Sequence, residues 1–438
     1  MSFRRVLSPF DATMVVIGGI IGSGIFINPR LVAQGLDSTL LVLAAWAVGG
    51  LVALCGAFAY AELGARFPKA GGQYVYLKDA WHPLAGFLYV WALLLIIETG
   101  AMAAVAIIFA EYLLRFLGRD TAAALPLAIA ALVIVSAVNY VGVKPGSRVL
   151  NVFVVLKVAA LAVLIGIGLL LPTESAGWLT DTRMTELRTG TGTGTVIAFG
   201  AALIPILFAY GGWQNANYIA EEIEAPERNL PRSLIIGVIT VAVVYVLVNV
   251  AYLRLLGLDG LAASATPAAD AAARALGPAG DKFVAAAIAI STFGFLDLAV
   301  LAPTRVYYAA AADGYLPSAL ARLHPRYGTP TLAIVVQAVW AILLVLTGTY
   351  GDLLNSVVFA DWIFFGGTVA ALFVFSRSGT STYRAPLYPL IPAFFVLVAV
   401  AVVISVIIAA PARAAAGALL IATGIPVFLY YRKKRREL

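Results

Sequence analysis

Apolar residues recur along this chain in twelve long stretches that are separated by shorter polar ones. A transmembrane α-helix needs roughly 20 predominantly apolar residues, and each stretch is long enough to supply them. We therefore predict twelve membrane-spanning helices, called segments 1 to 12 in chain order. Their predicted ranges are 11–34, 38–64, 84–116, 123–143, 146–171, 193–224, 232–256, 283–312, 329–348, 354–376, 387–409 and 411–431. The pattern predicts an all-α integral membrane protein.

Segments 1 and 6 are interrupted by residues that disfavour a helix. Segment 1 contains "GGIIGSGIF" (18–26), and segment 6 contains "FAYGGWQNANY" (208–218), where a glycine pair precedes polar residues. A glycine costs about 1 kcal/mol relative to alanine inside a helix. Close packing through small residues would explain one such motif. Interruptions at matching places in two halves of a chain are instead typical of a transporter binding site.

An interrupted helix frees backbone groups at membrane depth, which is tolerated only beside a cavity. The start of the second half of segment 1, at Ser23, Gly24 and Ile25, would offer N–H donors and a positive dipole end to a carboxylate. The carbonyl ends of the two first halves, near Ile20 and Phe208, would face an ammonium group. Such a site suits a zwitterion.

The spacing of the two interruptions predicts an internal repeat. Segments 1 and 6 are five helices apart, so a five-helix unit and its repeat would have opposite orientations in the membrane. We therefore expect a first inverted repeat at 1–171 and a second at 193–376. A third region at 387–438 would hold segments 11 and 12 and a basic cytoplasmic tail.

Composition and charge agree with a membrane protein. Hydrophobic residues make up 62% of the 438 residues and charged residues 12%, with a mean hydropathy of +0.97. If the N-terminus is cytoplasmic, 18 of the 29 Lys and Arg residues lie in cytoplasmic loops and nine outside. This bias favours both termini in the cytoplasm, with the chain in the plasma (cell inner) membrane. The net charge of +7 then reflects topology and not nucleic-acid binding, and the tail could also touch anionic lipid.

Few residues are available for catalysis or metal binding. The chain has one cysteine, Cys55, and two histidines, His82 and His324, which we place in loops. We expect no intramolecular disulfide, metal or cofactor, and we find no nucleophile–base pair for a membrane enzyme. A phosphate-binding loop for ATP-driven pumping is also missing. A channel would want identical filter segments from an oligomer, which suits this chain less well than a carrier.

Four long motifs resemble one family of transporters. "GGIIGSGIFINP" (18–29) and "FAYGGWQNANYIAEEIEAPERNLPRSL" (208–234) resemble helices 1 and 6 of the amino acid–polyamine–organocation superfamily, and most closely its L-type amino acid transporter branch. "AYAELGARFPKAGGQYVYLKDAW" (59–81) and "TRVYYAAAADGYLPSALARLHPRYGTP" (304–330) resemble its first cytoplasmic loop and its helix 8 end. The similarity covers about residues 8–376. It implies the leucine-transporter fold, with ten helices in two inverted repeats plus helices 11 and 12.

The resemblance also implies a function and a set of site residues. The expected function is sodium-independent transport of L-amino acids by alternating access, as an exchanger or facilitative carrier, with neutral side chains expected. Proton-coupled symport that includes cationic amino acids, and polyamine transport, remain alternatives. Phe208 resembles an aromatic gate, for which ordinary packing is the alternative. The expected substrate-binding residues are Ile20, Ile21, Gly22, Ser23, Gly24, Ile25, Phe208, Ala209, Gly211 and Gln214.

A missing cysteine bears on the partners of this chain. Human relatives are tied to a glycoprotein heavy chain through an external cysteine between helices 3 and 4. Here that loop, "LGRDTAAA" (117–124), has none. The resemblance therefore implies a prokaryotic-type transporter without a disulfide-linked heavy chain, whose partners are the L-amino acid and the lipid bilayer.

Charged residues within predicted spans are costly and usually pair or serve function. Lys157 in segment 5 resembles the lysine that replaces a sodium ion in sodium-independent relatives, with Ser291 and Thr292 as the contacts from segment 8. Snorkelling of Lys157 to the membrane surface is the alternative. A further set could take part in coupling or side-chain recognition, or could pair with Arg305 or Lys157. These residues are Glu98, Asp297 and Asp361.

Overall fold

The computed structural model describes residues 3–171, 178–180, 191–347, 350–375 and 381–436. In this part of the chain, eight helices are long and apolar enough to cross a membrane, and a bent pair in segment 1 passes the same test as one span. Three shorter apolar helices lie in segments 6, 9 and 10. The prediction of an all-helical chain with many membrane spans is confirmed. The last two residues of the predicted basic tail lie outside the described residues.

The first five segments alternate with short loops. Segment 1 consists of Pro9–Ile20 and Gly24–Gly35, and segment 2 is Thr39–Arg66. The loop helix Gln73–Ala80 leads to segment 3, which consists of Pro83–Ala92, the π-helical turn Leu93–Ile97 and Glu98–Phe116. The 3₁₀ turn Thr121–Ala123 precedes segment 4 (Ala124–Val141) and segment 5 (Val143–Leu170).

The remaining segments follow a 3₁₀ turn at Trp178–Thr180. Segment 6 consists of Thr191–Ala209, Asn215–Tyr218 and the 3₁₀ turn Ala220–Glu222. Segment 7 is Pro226–Ala263 and is followed by the helix Pro267–Leu276, and segment 8 consists of Pro278–Leu301 and Thr304–Ala312. The 3₁₀ turn Ser318–Ala321 precedes segments 9 (Thr331–Thr347), 10 (Tyr350–Phe375), 11 (Leu390–Ala409) and 12 (Pro411–Ala422 with Gly424–Arg436).

Local sequence determines where many of these helices begin. Six of them start with a proline, which is favoured at the first helical position because the N–H it lacks would have no helical acceptor there. Segment 1 also has a capping box, in which the Ser8 hydroxyl accepts from the Asp11 N–H at 3.2 Å and the Ser8 N–H donates to the Asp11 carboxylate at 2.9 Å. These caps fix the start of the helix whose other end forms the site.

The packing of the segments brings their interrupted parts to the middle of the bundle. Segments 2 and 7 pack along each other, as do segments 3 and 8 and segments 4 and 9. Each of these pairs joins segments that are five positions apart in the chain. Segment 1 packs against segments 5, 7 and 8, so its break is surrounded by other helices and not by lipid.

Candidate binding site at the two helix breaks

The two breaks touch each other through their backbones. An added Cβ atom on Gly212 would lie 2.1 Å from the carbonyl oxygen of Gly19, and one on Gly19 would lie 2.4 Å from the carbonyl oxygen of Gly212. Gly212 also has a φ of +108°, which side-chain-bearing residues rarely adopt. Gly19 and Gly212 are therefore needed for this crossing.

The carbonyl groups freed at the end of the first helix face a buried lysine. Lys157 is fully buried, and its Nζ donates to the carbonyl oxygens of Gly18 at 3.2 Å and Ile21 at 2.7 Å. The Ser291 hydroxyl also points at the Ile21 carbonyl, at 3.4 Å. The Thr292 hydroxyl instead donates to carbonyls one turn back in its own helix. Segments 5 and 8 thus meet segment 1 at its break, through Lys157 and Ser291.

A tyrosine that was not predicted from the sequence joins the two breaks. The hydroxyl of Tyr245, in segment 7, lies 2.9 Å from the Ile20 carbonyl oxygen and 3.3 Å from that of Ala209. These carbonyls belong to the ends of the first halves of segments 1 and 6. The only sign in the sequence is a tyrosine within the otherwise apolar run "VAVVYVLV" (241–248).

The second half of segment 1 presents free donors at its start. The helix Gly24–Gly35 is bent by 42° from the first half. The backbone N–H groups of Ser23, Gly24 and Ile25 have no acceptor among the described residues. The positive end of a twelve-residue helix and its unpaired N–H groups together favour an anionic group.

These elements enclose a cavity of about 140 Å³ between segments 1, 3, 6, 8 and 10. Eight of the ten residues predicted to bind substrate line it, namely Ile20, Gly22, Ser23, Gly24, Phe208, Ala209, Gly211 and Gln214. Ile21 and Ile25 are fully buried in the core and are absent from the lining. The helix bend turns their side chains into the protein, and the Ile21 carbonyl is bound by Lys157. A role of their backbone groups in substrate binding stays a prediction.

Two of the lining residues have distinct environments. Phe208 as a residue is 37% exposed, so it is not part of the packed core, and its role as a gate stays a prediction. The side-chain oxygen of Gln214 accepts from the Gly212 N–H at 3.0 Å. Gln214 therefore stabilises the break of segment 6 as well as lining the cavity.

The three intramembrane acids differ in position. Glu98 and Asp361 line the cavity, whereas Asp297 is fully buried and absent from the lining. Its carboxylate accepts from the Asn139 amide at 2.7 Å. Side-chain recognition by Asp297 is thus not supported, because Asp297 points to segment 4 and not to the cavity.

Several lining residues were not predicted from the sequence. Aromatic rings from segments 8 and 10 contribute through Phe295, Trp362 and Phe365, and segment 3 adds Val105 and Ile108. Apolar residues are the rule in membrane helices, so nothing in the sequence distinguishes those that face a cavity from those that face lipid or the core.

Buried polar contacts tie the segments together beyond the breaks, toward the end where the chain begins. Arg305 and Glu222 form a buried ion pair, with Nε and Oε1 2.7 Å apart. The Leu7 N–H donates to the Glu222 carbonyl oxygen at 2.9 Å. The hydroxyls of Tyr89 and Tyr218 are hydrogen-bonded to each other. Arg305 therefore pairs with none of the three acids that we considered as its partners.

Comparisons with known proteins identify the family. The model of the family described as amino acid permease matches residues 7–430. The large neutral amino acids transporter small subunit 2 of Homo sapiens is 32% identical over 99% of this chain and 82% of the relative. The b(0,+)-type amino acid transporter 1 of Homo sapiens is 32% identical over 94% of this chain and 84% of the relative.

A third relative, the Asc-type amino acid transporter 1 of Homo sapiens, is 30% identical over 99% of this chain and 84% of the relative. All three relatives are transporters and not enzymes. The similarity extends through both breaks, and the resemblance stated from the sequence motifs is confirmed. This chain therefore belongs to the amino acid permease family, within the amino acid–polyamine–organocation superfamily, and has the leucine-transporter fold.

Proposed function

We propose that this protein is a sodium-independent transporter of L-amino acids that works by alternating access and exchanges substrate across the membrane. One observation carries the proposal. The breaks of segments 1 and 6 bring carbonyl ends and free N–H groups to a single small cavity. The names of the three relatives, all amino acid transporters, support the same substrate class.

The backbone at the breaks supplies binding groups for both ends of an amino acid. The carboxylate fits against the N–H groups of Ser23 and Gly24, where the positive helix end adds to the hydrogen bonds. The ammonium group fits toward the carbonyl ends near Ile20 and Phe208. The cavity of about 140 Å³ is smaller than the roughly 300–1,000 Å³ of pockets for drug-sized ligands, and this favours a small substrate.

Lys157 provides a reason for sodium independence. Its ammonium group sits where freed carbonyls of segment 1 and a hydroxyl of segment 8 converge, and these are oxygen ligands that would suit a cation. A covalently attached positive charge at this place would hold segment 1 against segments 5 and 8 without an ion from solution. We propose that Lys157 and Ser291 perform this function, and that Thr292 supports it only through packing.

The repeat arrangement supplies the conformational change. We propose inverted repeats at 1–171 and 193–376, and the pairing of segments 2 with 7, 3 with 8 and 4 with 9 supports this division. Binding at the crossing of segments 1 and 6 lets one repeat rock against the other. The Arg305–Glu222 ion pair would have to part when the site opens toward the end where the chain begins.

We also propose which membrane holds the protein and that it works without a disulfide-linked heavy chain. The positive charge of the loops supports a plasma (inner) membrane protein with both termini in the cytoplasm. Cys55, the single cysteine, lies within segment 2. A transporter without a disulfide-linked heavy chain follows from the absence of a cysteine at 117–124.

Purified protein in liposomes tests the function. Uptake of a labelled L-amino acid is expected to be equal in sodium and choline buffers and to accelerate when the same amino acid is inside. Converting the substrate carboxylate to an amide should weaken binding at least tenfold, about 1.4 kcal/mol, because the N–H groups of Ser23 and Gly24 lose their anion. Tight binding of putrescine, which lacks a carboxylate, would contradict amino acid transport and favour a polyamine.

Gly22 offers a test of the site that leaves the fold intact. A Cβ atom there would meet one atom, in the Phe295 ring, at an ordinary 3.8 Å. We expect Gly22→Ala to lower substrate affinity at least tenfold with an unchanged unfolding temperature, because the methyl group enters the space beside the ligand carboxylate. The matched control is Gly200→Ala in segment 6, whose added methyl group meets nothing within 4 Å. Wild-type affinity in Gly22→Ala would remove this residue from the site.

A further inference from the structure

Two carboxylates line the cavity and have no partner of their own. Glu98, on segment 3, is buried, with 8% of the residue exposed. Asp361, on segment 10, is partly buried. Neither forms a hydrogen bond or an ion pair with any described residue.

A local irregularity of segment 3 directs Glu98 into the cavity. The residue follows directly on the π-helical turn Leu93–Ile97, and the Thr99 hydroxyl donates to the Leu94 carbonyl oxygen at 2.7 Å, five residues back. A π-turn is a costly deviation from the α-helix that often occurs at functional sites. The residues after the turn are rotated relative to those before it, and Glu98 is the first of them.

No positive side chain of the described residues balances these acids inside the cavity. Its lining contains no Lys, Arg or His. Lys157 is directed to the Gly18 and Ile21 carbonyls and does not line the cavity. An amino acid bound as proposed above uses both of its backbone charges at the helix breaks. The negative charge of Glu98 and Asp361 therefore remains to be balanced by a proton or by a further cation.

We propose that Glu98 and Asp361 form a subsite for a cationic group at the end of the substrate side chain, so that the protein accepts L-amino acids with a distal ammonium. This inference rests on the proposed function and specifies its substrate. The rest of the lining suits the aliphatic stem of such a side chain. Val105 and Ile108 lie further along segment 3, and Trp362 follows Asp361 directly in segment 10, so apolar surface borders both carboxylates.

L-lysine and L-norleucine form a matched pair of probes, since norleucine is lysine without its side-chain amine. In liposomes we expect wild-type protein to half-saturate at a concentration of L-lysine at least tenfold below that of L-norleucine. Glu98→Gln and Asp361→Asn should each reduce this preference at least tenfold while norleucine uptake is retained. Asp297→Asn removes a buried acid outside the cavity and is the matched control, for which the preference should be unchanged.

Other outcomes separate this inference from the proposed function. Sodium-independent norleucine uptake with no preference for lysine, or a preference that both cavity variants retain, would overturn the subsite alone. Norleucine uptake that requires an inward proton gradient, with lysine not transported, would also overturn it and assign the two carboxylates to proton binding. Failure of wild-type protein to take up any amino acid would instead overturn the proposed function.

Discussion

Replacing Lys157 with alanine is expected to slow amino acid exchange at least tenfold in liposomes at matched protein levels. The change removes the only donor seen for the Gly18 carbonyl among the described residues and leaves the Ile21 carbonyl to a single hydroxyl. A buried polar group without a partner costs about 1–3 kcal/mol. The cost would fall on the state in which segment 1 is held against segments 5 and 8, so the equilibrium between the two access states shifts.

The control for this variant lies in the same helix. Lys144→Ala removes an exposed lysine near the start of segment 5 and should leave exchange close to the wild-type rate. Both variants should be measured in sodium and in choline buffers. If wild-type uptake collapses in choline, or if Lys157→Ala transports normally in both, then Lys157 does not replace a sodium ion. Partial recovery of Lys157→Ala by added sodium would instead strengthen the assignment.

The positions of the spans and breaks could be predicted because long apolar stretches and glycine-rich interruptions in a sequence have few physical causes. Only a membrane gives a reason for twelve long apolar stretches in one chain. The glycine-rich stretches at 18–24 and 211–212 are equally informative, because two helices that are weakened at matching places in the two halves of the chain need a cavity. The family motifs added the sodium-independent mechanism and directed attention to Lys157, whose contacts with segment 1 the structure then places at the break.

The direction of individual side chains could not be predicted. Ile25 follows Gly24 directly, yet it is in the core, since the 42° bend rotates the second half of segment 1. Glu98 faces the cavity because it follows a π-helical turn. No pattern in the sequence predicts this turn. Asp297 and Asp361 look alike in sequence, since each is the one acid within its predicted span, 283–312 or 354–376. Only the packing of segment 4 against segment 8 gives Asp297 its asparagine partner.

The crossing of the two breaks should be the part of the molecule least tolerant of substitution. Gly212→Ala is expected to abolish exchange and to lower the unfolding temperature of the purified protein. Its Cβ atom would lie 2.1 Å from the Gly19 carbonyl oxygen, which is backbone and cannot move without displacing segment 1. The φ of +108° adds strain of about 1–3 kcal/mol for a residue with a side chain.

A second glycine separates the clash from the backbone strain. Gly118 also has a positive φ, of +64°, but an added Cβ atom there meets nothing within 4 Å. Gly118→Ala should therefore cost only about 1–2 kcal/mol, the strain of a residue with a Cβ atom in the left-handed region, and should keep exchange. If Gly212→Ala were no worse than Gly118→Ala in unfolding temperature and transport, segments 1 and 6 would not need to touch at Gly19. The cavity would then depend on Tyr245, which bonds both breaks, to hold them together.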